Sequence, residues 1–177
     1  TVMFFASDNS GPVPPQILAA LSAANEGYTM GYGDERQMKD VRRQLRDVFE
    51  APKAAVYLVA TGTAANALAL ACLCQPWDTV FCTRLAHIHE DECNAPEFYT
   101  GGAKLTITGP SDKMQPDELH AAVAYEGERG VHGPQRGPVS LTQVTERGQR
   151  YSLDELQALC DVAKSFDLPV HMDGARF

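Results

Sequence analysis

Two segments of the chain contain residues of the types that bind charged ligands, and the first is suited to an anion. Residues 60–66 read Ala-Thr-Gly-Thr-Ala-Ala-Asn and connect an apolar stretch to a helical pattern. The free N–H groups and the dipole at a helix N-terminus attract anions; Gly62 permits close backbone approach, and the Thr63 hydroxyl adds a donor. The pattern lacks the Gly-Lys-Ser/Thr of a Walker loop, and it is also typical of a tight turn with a helix cap. Phosphate binding and a plain turn therefore both stay open at this point.

The second segment closes the given sequence and places an acid and a base after an apolar stretch. Asp173 follows Val170-His171-Met172, and Arg176 stands three positions further on. A carboxylate in a mostly apolar setting needs a partner, because an unpaired buried charge is costly. A protonated ring nitrogen of a ligand would satisfy Asp173, and so would the Arg176 guanidinium. The Asp–Arg ion pair is the simpler interpretation of this motif alone.

A third cluster combines histidines with acids in residues 86–92, Ala-His-Ile-His-Glu-Asp-Glu. In an extended segment His87 and His89 would share one face, with Asp91 next on it. A metal site needs several convergent ligands, and this stretch offers three at most, so we expect no metal there. A neutral His87 stacked on a flat cofactor is an alternative that spacing does not test. Near the start of the chain, Ser7-Asp8-Asn9 is typical of a turn with side-chain capping.

The rest of the sequence predicts the elements that must position these groups. Apolar residues at helical spacing predict helices, and short apolar runs bounded by turns predict strands. The predicted helices lie between Pro14 and Gly27, from an Asp34 N-cap to Glu50, and over residues 62–74, 116–126 and 153–166, the last opened by a capping box of Ser152 and Glu155. The predicted strands cover residues 54–60, 79–83, 104–108, 138–144 and 169–172.

Strands that alternate with helices in this way predict an α/β fold of three layers, α/β/α, with a mostly parallel sheet. Ligands of such sheets bind beyond the C-terminal ends of the strands, where both residues 61–63 and residues 173–176 are expected to lie. We divide the chain into an N-terminal segment and helix, residues 1–35, and an incomplete large domain, residues 36–177.

Composition excludes several classes of function. The 177 residues carry a formal net charge of −8, and no Lys/Arg run offers a basic face, which argues against a nucleic-acid partner. The apolar stretch from Ala64 to Leu73 is too short to span a bilayer, and we see no signal peptide at the start. The five cysteines lack the paired spacing of metal or disulfide frameworks, which favours reduced thiols in a cytoplasmic protein.

The ordered set of motifs resembles the threonine aldolase family of pyridoxal-phosphate (PLP) enzymes, which includes low-specificity and phenylserine-cleaving members. The resemblance covers essentially the whole chain. No single piece is decisive, but their order is highly specific. The matching segments are residues 5–9, 31–35, 61–66, 86–88, 91–93, 95–98, 140–146 and 171–177, the last reading His-Met-Asp-Gly-Ala-Arg-Phe.

The resemblance implies a fold and roles for individual residues. The fold would be the large domain of fold type I, aspartate-aminotransferase-like PLP enzymes. Gly62 and Thr63 would bind the phosphate, Asp173 would pair with the ring nitrogen, and His87 would stack on the ring and act as an acid or base. Ser7 and Arg176 would bind the substrate carboxylate, a bidentate task suited to a guanidinium. Tyr32 would lie near the active site of a neighbouring subunit in a homodimer or homotetramer.

The implied reaction is the retro-aldol cleavage of an L-threonine-like β-hydroxy-α-amino acid to glycine and an aldehyde. Two departures from the family pattern qualify it. Many members have a histidine where this chain has Thr145-Glu146-Arg147-Gly148, so the identity of the general base is open. The Schiff-base lysine is expected beyond Phe177, and none of the five lysines present matches it, so we expect this segment by itself to be inactive.

Three alternatives to the threonine aldolase interpretation stay open. One is a preference for phenylserine, and another is a different fold type I lyase or aminotransferase. The third, from another class, is a non-catalytic fragment that binds a partner.

Overall fold

The computed structural model describes residues 10–177, and its contacts divide the chain into two compact units, residues 1–57 and residues 58–177. The predicted boundary after residue 35 stays a prediction. The helices are α1 (Pro15–Ala24), α2 (Arg36–Val48), α3 (Gly62–Leu73), α4 (His87–Glu90), α5 (Ala95–Tyr99), α6 (Pro116–Glu128) and α7 (Leu153–Ser165), with a 3-10 turn at Gly130–His132. The strands are β1 (Asp78–Cys82), β2 (Lys104–Ile107), β3 (Gln135–Thr142) and β4 (Val170–Asp173).

The second unit is built on a parallel sheet with the strand order β2-β1-β3-β4. Because the strands are parallel, their C-terminal ends meet at one edge of the sheet. The register pairs Thr142 of β3 with Asp173 of β4, and Ser140 with His171. The predicted site segments at the ends of β1, β3 and β4 therefore share that edge.

Two separate cores lie on opposite faces of this sheet. Neighbouring residues of β1 alternate between them, because successive side chains of a strand point to opposite faces. Phe81 packs with residues of α6 and α7, including Leu119 and Leu159. Val80 and Cys82 pack in the other core, which includes Leu70 of α3. The arrangement is the three-layer α/β/α fold that the sequence predicts.

The pairing of β1 with β3 is interrupted where β3 contains Gly137-Pro138. The register shifts between Thr79 and Phe81, since proline has no N–H to donate to the ladder. A Cβ atom at Gly137 would lie 2.6 Å from the carbonyl oxygen of Thr79 and 3.1 Å from Cβ of Asp78. Glycine thus allows β3 to approach β1 closely at the centre of the sheet.

The first unit contributes two helices among its described residues. α1 begins at Pro15, which occupies the first turn, where its missing N–H costs nothing. α2 has Glu35 at its N-cap with no side-chain cap, so the prediction of Asp34 as the N-cap is wrong. The Asp34 carboxylate instead lies 3.1 Å from Nζ of Lys39.

The sequence-based elements differ from the structure in three further places. Residues 54–60 form no strand, so the strand predicted there is wrong. His87–Glu90 is one turn of helix, because the N–H groups of His89 and Glu90 both donate to the carbonyl of Ala86. The helix α5 has no counterpart among the predicted elements. The capping box of Ser152 and Glu155 at the start of α7 is confirmed, with both of its hydrogen bonds formed.

No helix within residues 10–177 has the length and apolar character required to cross a bilayer.

Candidate functional site

Asp173 ends β4 at the C-terminal edge of the sheet, where both of its carboxylate oxygens accept hydrogen bonds. Oδ1 accepts from the backbone N–H of Ala175 at 2.9 Å, and Oδ2 accepts from Nδ2 of Asn66 at 3.0 Å. Among the ion pairs of residues 10–177, none involves Asp173. The Asp–Arg pair that the sequence left open is therefore not formed, and the carboxylate lacks a cationic partner from the described chain.

Asn66 connects Asp173 to a second carboxylate. It lies on α3, one helical turn after Gly62, and is only 6% exposed. Its Nδ2 donates to Oε1 of Glu92 at 2.7 Å as well as to Asp173. A primary amide carries two hydrogens, so this one nitrogen bridges the two acids with both of them.

His87 lies against the same glutamate. Its Nδ1 is 2.8 Å from Oε1 of Glu92, whose side chain is fully buried, while the His87 side chain is 38% exposed. The backbone N–H of His87 donates to Oε1 of Glu146 at 3.0 Å. The imidazole is thus held from one edge and stays partly open to solvent.

The other histidine of the cluster points elsewhere. Nδ1 of His89 contacts the carbonyl of Arg84 and the carboxylate of Glu90, both on the exposed surface. The expectation that His87 and His89 share one face of an extended segment is wrong, because the backbone there turns into α4. Within residues 10–177 no group of three or more His, Cys, Asp or Glu side chains is placed to hold a metal ion.

The turn before α3 presents free backbone donors. Thr61 is the N-cap, and its hydroxyl accepts from the N–H of Ala64 at 3.1 Å. The N–H groups of Gly62 and Thr63 make no hydrogen bond to the described part of the chain. A Cβ atom at Gly62 would meet no atom of the described residues within 4 Å, so the described part of the chain leaves space beside this turn. The helix dipole and these donors form a place where an anion can bind.

Arg176 lies three residues beyond Asp173, the last paired residue of β4, and is exposed. Its Nη1 lies 3.5 Å from the carbonyl oxygen of Val144, at the limit of a hydrogen bond. The guanidinium is therefore available to a ligand.

The loop that follows β3 is fixed by a buried aspartate. The Thr145 hydroxyl donates to Asp112 at 2.6 Å, and Nε2 of Gln149 also donates to that carboxylate. Burial tends to raise the pKa of Asp112, but hydrogen bonds from Thr145, its own backbone and Gln149 outweigh it and lower the pKa below its ordinary value. This anchoring holds Glu146 where it contacts the backbone of His87.

Two further titratable groups lie under the site. The buried His171 has Nδ1 2.9 Å from the Ser140 hydroxyl, and burial lowers the pKa of its imidazole despite the opposing charges of Asp173 and Glu92. Burial raises the pKa of the Cys82 thiol to about 12, and the nearby acids Glu97 and Glu146 add to this. Cys82 therefore stays a protonated thiol at neutral pH and is unsuited to act as a nucleophile.

Two of the predicted site residues are not joined to this arrangement. Ser7 lies outside the described residues. Tyr32 belongs to the first unit, where it is fully exposed and has a positive φ of 61°. The roles predicted for both residues remain predictions.

The residues present fit the PLP that the resemblance implies. The open donors of Gly62 and Thr63 suit a phosphate group, and the Asp173 carboxylate without a cationic partner suits a protonated ring nitrogen. Both features belong to the same unit, and Asn66 links α3 to Asp173 at the C-terminal edge of the sheet.

Sequence reasoning missed Asn66, Glu92, Glu146 and His171 as parts of the site. The clearest overlooked signal is Asn66, a lone amide inside the otherwise apolar stretch from Ala64 to Leu73. A polar side chain in such a stretch needs a buried partner, and four residues after Gly62 it faces the same side of the helix.

A sequence profile of the beta-eliminating lyase family matches residues 5–177. The low-specificity L-threonine aldolase of Pseudomonas aeruginosa is 40% identical over 174 residues, which are 98% of this chain and 49% of that protein. The solved threonine aldolase of Leishmania major is 28% identical, with a TM-score of 0.87 over 94% of this chain and 48% of that one.

A more distant likeness concerns the fold alone. The aspartate aminotransferase of Rhizobium meliloti is 16% identical, with a TM-score of 0.64 over 93% of this chain and 41% of that one. The predicted aspartate-aminotransferase-like α/β fold is thereby confirmed. The chain spans about half the length of the two curated low-specificity L-threonine aldolases that it matches. The profile match covers nearly all of the chain, and the chain therefore belongs to the beta-eliminating lyase family.

Proposed function

We propose that this chain forms the N-terminal half of a PLP-dependent aldolase. The substrate is an L-threonine-like β-hydroxy-α-amino acid, and the products are glycine and an aldehyde. The similarity to low-specificity L-threonine aldolases over 98% of the chain supports this class of substrate. The observation that carries the proposal is the Asp173 carboxylate, which is held in place by Asn66 and has no cationic partner from the described chain.

PLP, when bound, supplies an electron sink for the electron pair released at Cα of the substrate. The chain's own residues hold it by complementary charge. The N–H groups of Gly62 and Thr63, with the Thr63 hydroxyl, bind the phosphate at the start of α3. Asp173 keeps the ring nitrogen protonated, because a carboxylate beside that nitrogen favours its charged form.

His87 is the proposed acid and base. Cleavage requires removal of the β-hydroxyl proton, rupture of the Cα–Cβ bond, and delivery of a proton to Cα to give glycine. The imidazole is partly exposed at the C-terminal edge of the sheet, and its Nε2 makes no hydrogen bond to residues 10–177. Such a nitrogen is free to accept a proton from a bound substrate and to return it.

The remaining roles concern the substrate. The exposed Arg176 guanidinium binds the amino-acid carboxylate in a bidentate way, together with Ser7. Tyr32 contributes from a neighbouring subunit of a homodimer or homotetramer. We propose a cytoplasmic location, which is consistent with five cysteines that form no disulfide in the structure.

A second reaction class has one observation in its favour, since the matching family profile describes beta-eliminating lyases. Such a reaction on a β-hydroxy amino acid would release ammonia and a keto acid. Aldol cleavage would release glycine and an aldehyde without ammonia. Product analysis therefore separates the two.

The test uses the full-length protein that contains this chain, loaded with PLP. It is incubated with L-threonine, L-allo-threonine and L-phenylserine, and aldehyde, glycine, ammonia and keto acid are each quantified. We expect equal amounts of glycine and aldehyde. Ammonia with a keto acid would instead support the eliminating reaction, and the absence of turnover on all three substrates would reject the proposed function.

A further inference from the structure

The contact between Glu92 and His87 determines which ring nitrogen carries the hydrogen. Oε1 of Glu92 accepts a hydrogen bond from Asn66 at 2.7 Å, so this oxygen is an acceptor. The same oxygen lies 2.8 Å from Nδ1 of His87. An acceptor needs a donor opposite it, so Nδ1 of His87 carries hydrogen and Nε2 of the neutral ring carries the lone pair.

The other oxygen of Glu92 leaves this conclusion intact. Oε2 is buried and has no hydrogen-bond partner among the described residues. Both hydrogen bonds that Glu92 makes with the described residues therefore use Oε1, which as a carboxylate oxygen accepts from Asn66 and from His87. The tautomer of His87 therefore follows from the position of the Glu92 carboxylate.

The orientation of Asn66 is equally constrained. Its Nδ2 faces carboxylate oxygens of Glu92 and of Asp173, at 2.7 Å and 3.0 Å. Rotating the amide would place its carbonyl oxygen against two acids, which is unfavourable. His87, Glu92, Asn66 and Asp173 thus form one hydrogen-bonded chain from the surface imidazole to the end of β4.

We propose that Glu92 is a positioning residue that fixes His87 as the Nδ1–H tautomer, so that Nε2 is the atom that accepts and returns the proton. Its bond to Asn66 holds the same glutamate in register with the Asp173 carboxylate. The proton-transfer role of Nε2 rests on the proposed function. The tautomer and its dependence on Glu92 do not, because they follow from contacts within the chain.

The first experiment reads the tautomer without substrate or cofactor. Nitrogen-15 correlation spectra of the imidazoles are recorded on the cofactor-free, full-length protein at a pH of about 8, above the ordinary histidine range. We expect His87 to show a protonated Nδ1 and an unprotonated Nε2. A signal with the hydrogen on Nε2 would overturn the proposal for the wild-type protein directly.

Two substitutions separate the hydrogen bond from the charge. Glu92→Gln keeps an oxygen that accepts from His87 and Asn66, so the Nδ1–H form is retained. Glu92→Ala removes the acceptor, so a mixture of the two tautomers appears. If the alanine variant folded and kept a pure Nδ1–H signal, Glu92 would not be the determinant. If it failed to fold, the wild-type and glutamine spectra would still decide the assignment.

A matched control lies on α4, the helix that contains His87. Glu90 contacts Nδ1 of His89 at 3.0 Å, but both side chains are exposed. Glu90→Gln is expected to leave the His87 signals and the activity unchanged. A change at His87 as large as that caused by Glu92→Ala would indicate a general disturbance of α4 and would contradict the proposal.

The second experiment measures kcat and KM in the PLP-loaded, full-length enzyme. We expect Glu92→Ala to lower kcat by about a hundredfold, the usual scale of general acid–base catalysis, with little change in KM. Glu92→Gln should stay within about tenfold of the wild type, roughly 1.4 kcal/mol. An unchanged kcat in Glu92→Ala, with the tautomer altered, would overturn the positioning role. Inactivity of the wild type would reject the proposed function and leave the tautomer result standing.

Discussion

The sequence and the structure lead to different partners for Asp173. In the sequence it has two possible partners, a ligand or Arg176. In the structure it accepts hydrogen bonds from Asn66 and from the Ala175 backbone, and no residue between 10 and 177 forms an ion pair with it. A carboxylate held in this way by two hydrogen bonds suits the protonated ring nitrogen of a ligand.

Replacing Asp173 in the full-length enzyme tests this role. Asp173→Ala removes the charge beside the ring nitrogen, and we expect the rate of aldehyde release to fall by more than tenfold, roughly 1.4 kcal/mol. The free energy of unfolding of the cofactor-free protein, from urea titration, serves as the control for folding. Activity within about tenfold of the wild type, in a folded variant, would show that Asp173 does not serve the ring nitrogen.

His171 leads to a prediction about pH. Burial lowers the pKa of its imidazole in the folded chain, whereas the unfolded chain takes up the proton near the ordinary value of about 6.5. The unfolded state therefore binds more protons as the pH falls below that value, and the folded state loses stability in that window. Above it, both states are neutral at this residue and the effect vanishes.

Urea unfolding at a pH of about 7.5 and about 5.5, on either side of the ordinary histidine pKa, measures this effect. The loss of unfolding free energy on acidification should be smaller in His171→Gln than in the wild type. His89→Gln, at an exposed histidine, serves as the control and should behave like the wild type. Equal losses in the wild type and in His171→Gln would contradict the prediction.

The sequence indicates candidate site residues whose signal is local and misses contacts that depend on a distant partner. Gly62 and Thr63 can be proposed from the sequence because the start of a helix carries its own free backbone donors. The contact of Asn66 with Glu92 cannot, because the two residues are 26 positions apart. The same holds for Ser140 and His171, which meet only through the pairing of β3 with β4.

At the scale of elements, prediction succeeds where the signal lies within the element itself. The start of α7 is predicted because a capping box needs only residues three positions apart. The prediction of a strand over residues 54–60 is wrong because a strand forms only when it pairs with a neighbouring strand. The apolar pattern does not show whether such a neighbour is present. The short helices α4 and α5 are too brief to show a helical period.

Gly137 tests the close approach of β3 to β1. Gly137→Ala would place a methyl group 2.6 Å from the Thr79 carbonyl oxygen, a backbone atom at the centre of the sheet. We expect the free energy of unfolding to fall by about 1–3 kcal/mol, the usual cost of overpacking. Gly11→Ala, where a Cβ would meet no described atom within 4 Å, is the control. An unfolding midpoint in Gly137→Ala equal to that of the control would contradict the close approach.

At the scale of the whole molecule, exposed apolar surface and net charge have opposite effects on the association of the 177-residue chain. Leu58 is 69% exposed and sits in a continuous apolar run, Val56 to Ala60. Exposed apolar surface favours association, whereas a formal net charge of −8 repels one copy from another. Salt screens the repulsion and leaves the apolar attraction in place.

We therefore expect the 177-residue chain, expressed by itself, to associate, and to do so more strongly as the salt concentration rises. Sedimentation velocity over a range of salt concentrations provides the measurement. Leu58→Ser should reduce association more than Val131→Thr, because Val131 is 91% exposed but isolated among polar residues and glycines. A chain that stays monomeric in high salt would contradict the prediction.

The bridge made by Asn66 also has an evolutionary consequence. Its amide nitrogen donates to two acids that lie 26 and 107 positions away in the sequence. The residues at these three distant positions must therefore be compatible with one another. Changing Asn66 to Asp, a replacement that conserves size, would set three carboxylates against one another. We expect relatives that lack an acid at either of the two partner positions also to have lost the amide, so that the three positions vary together across the family.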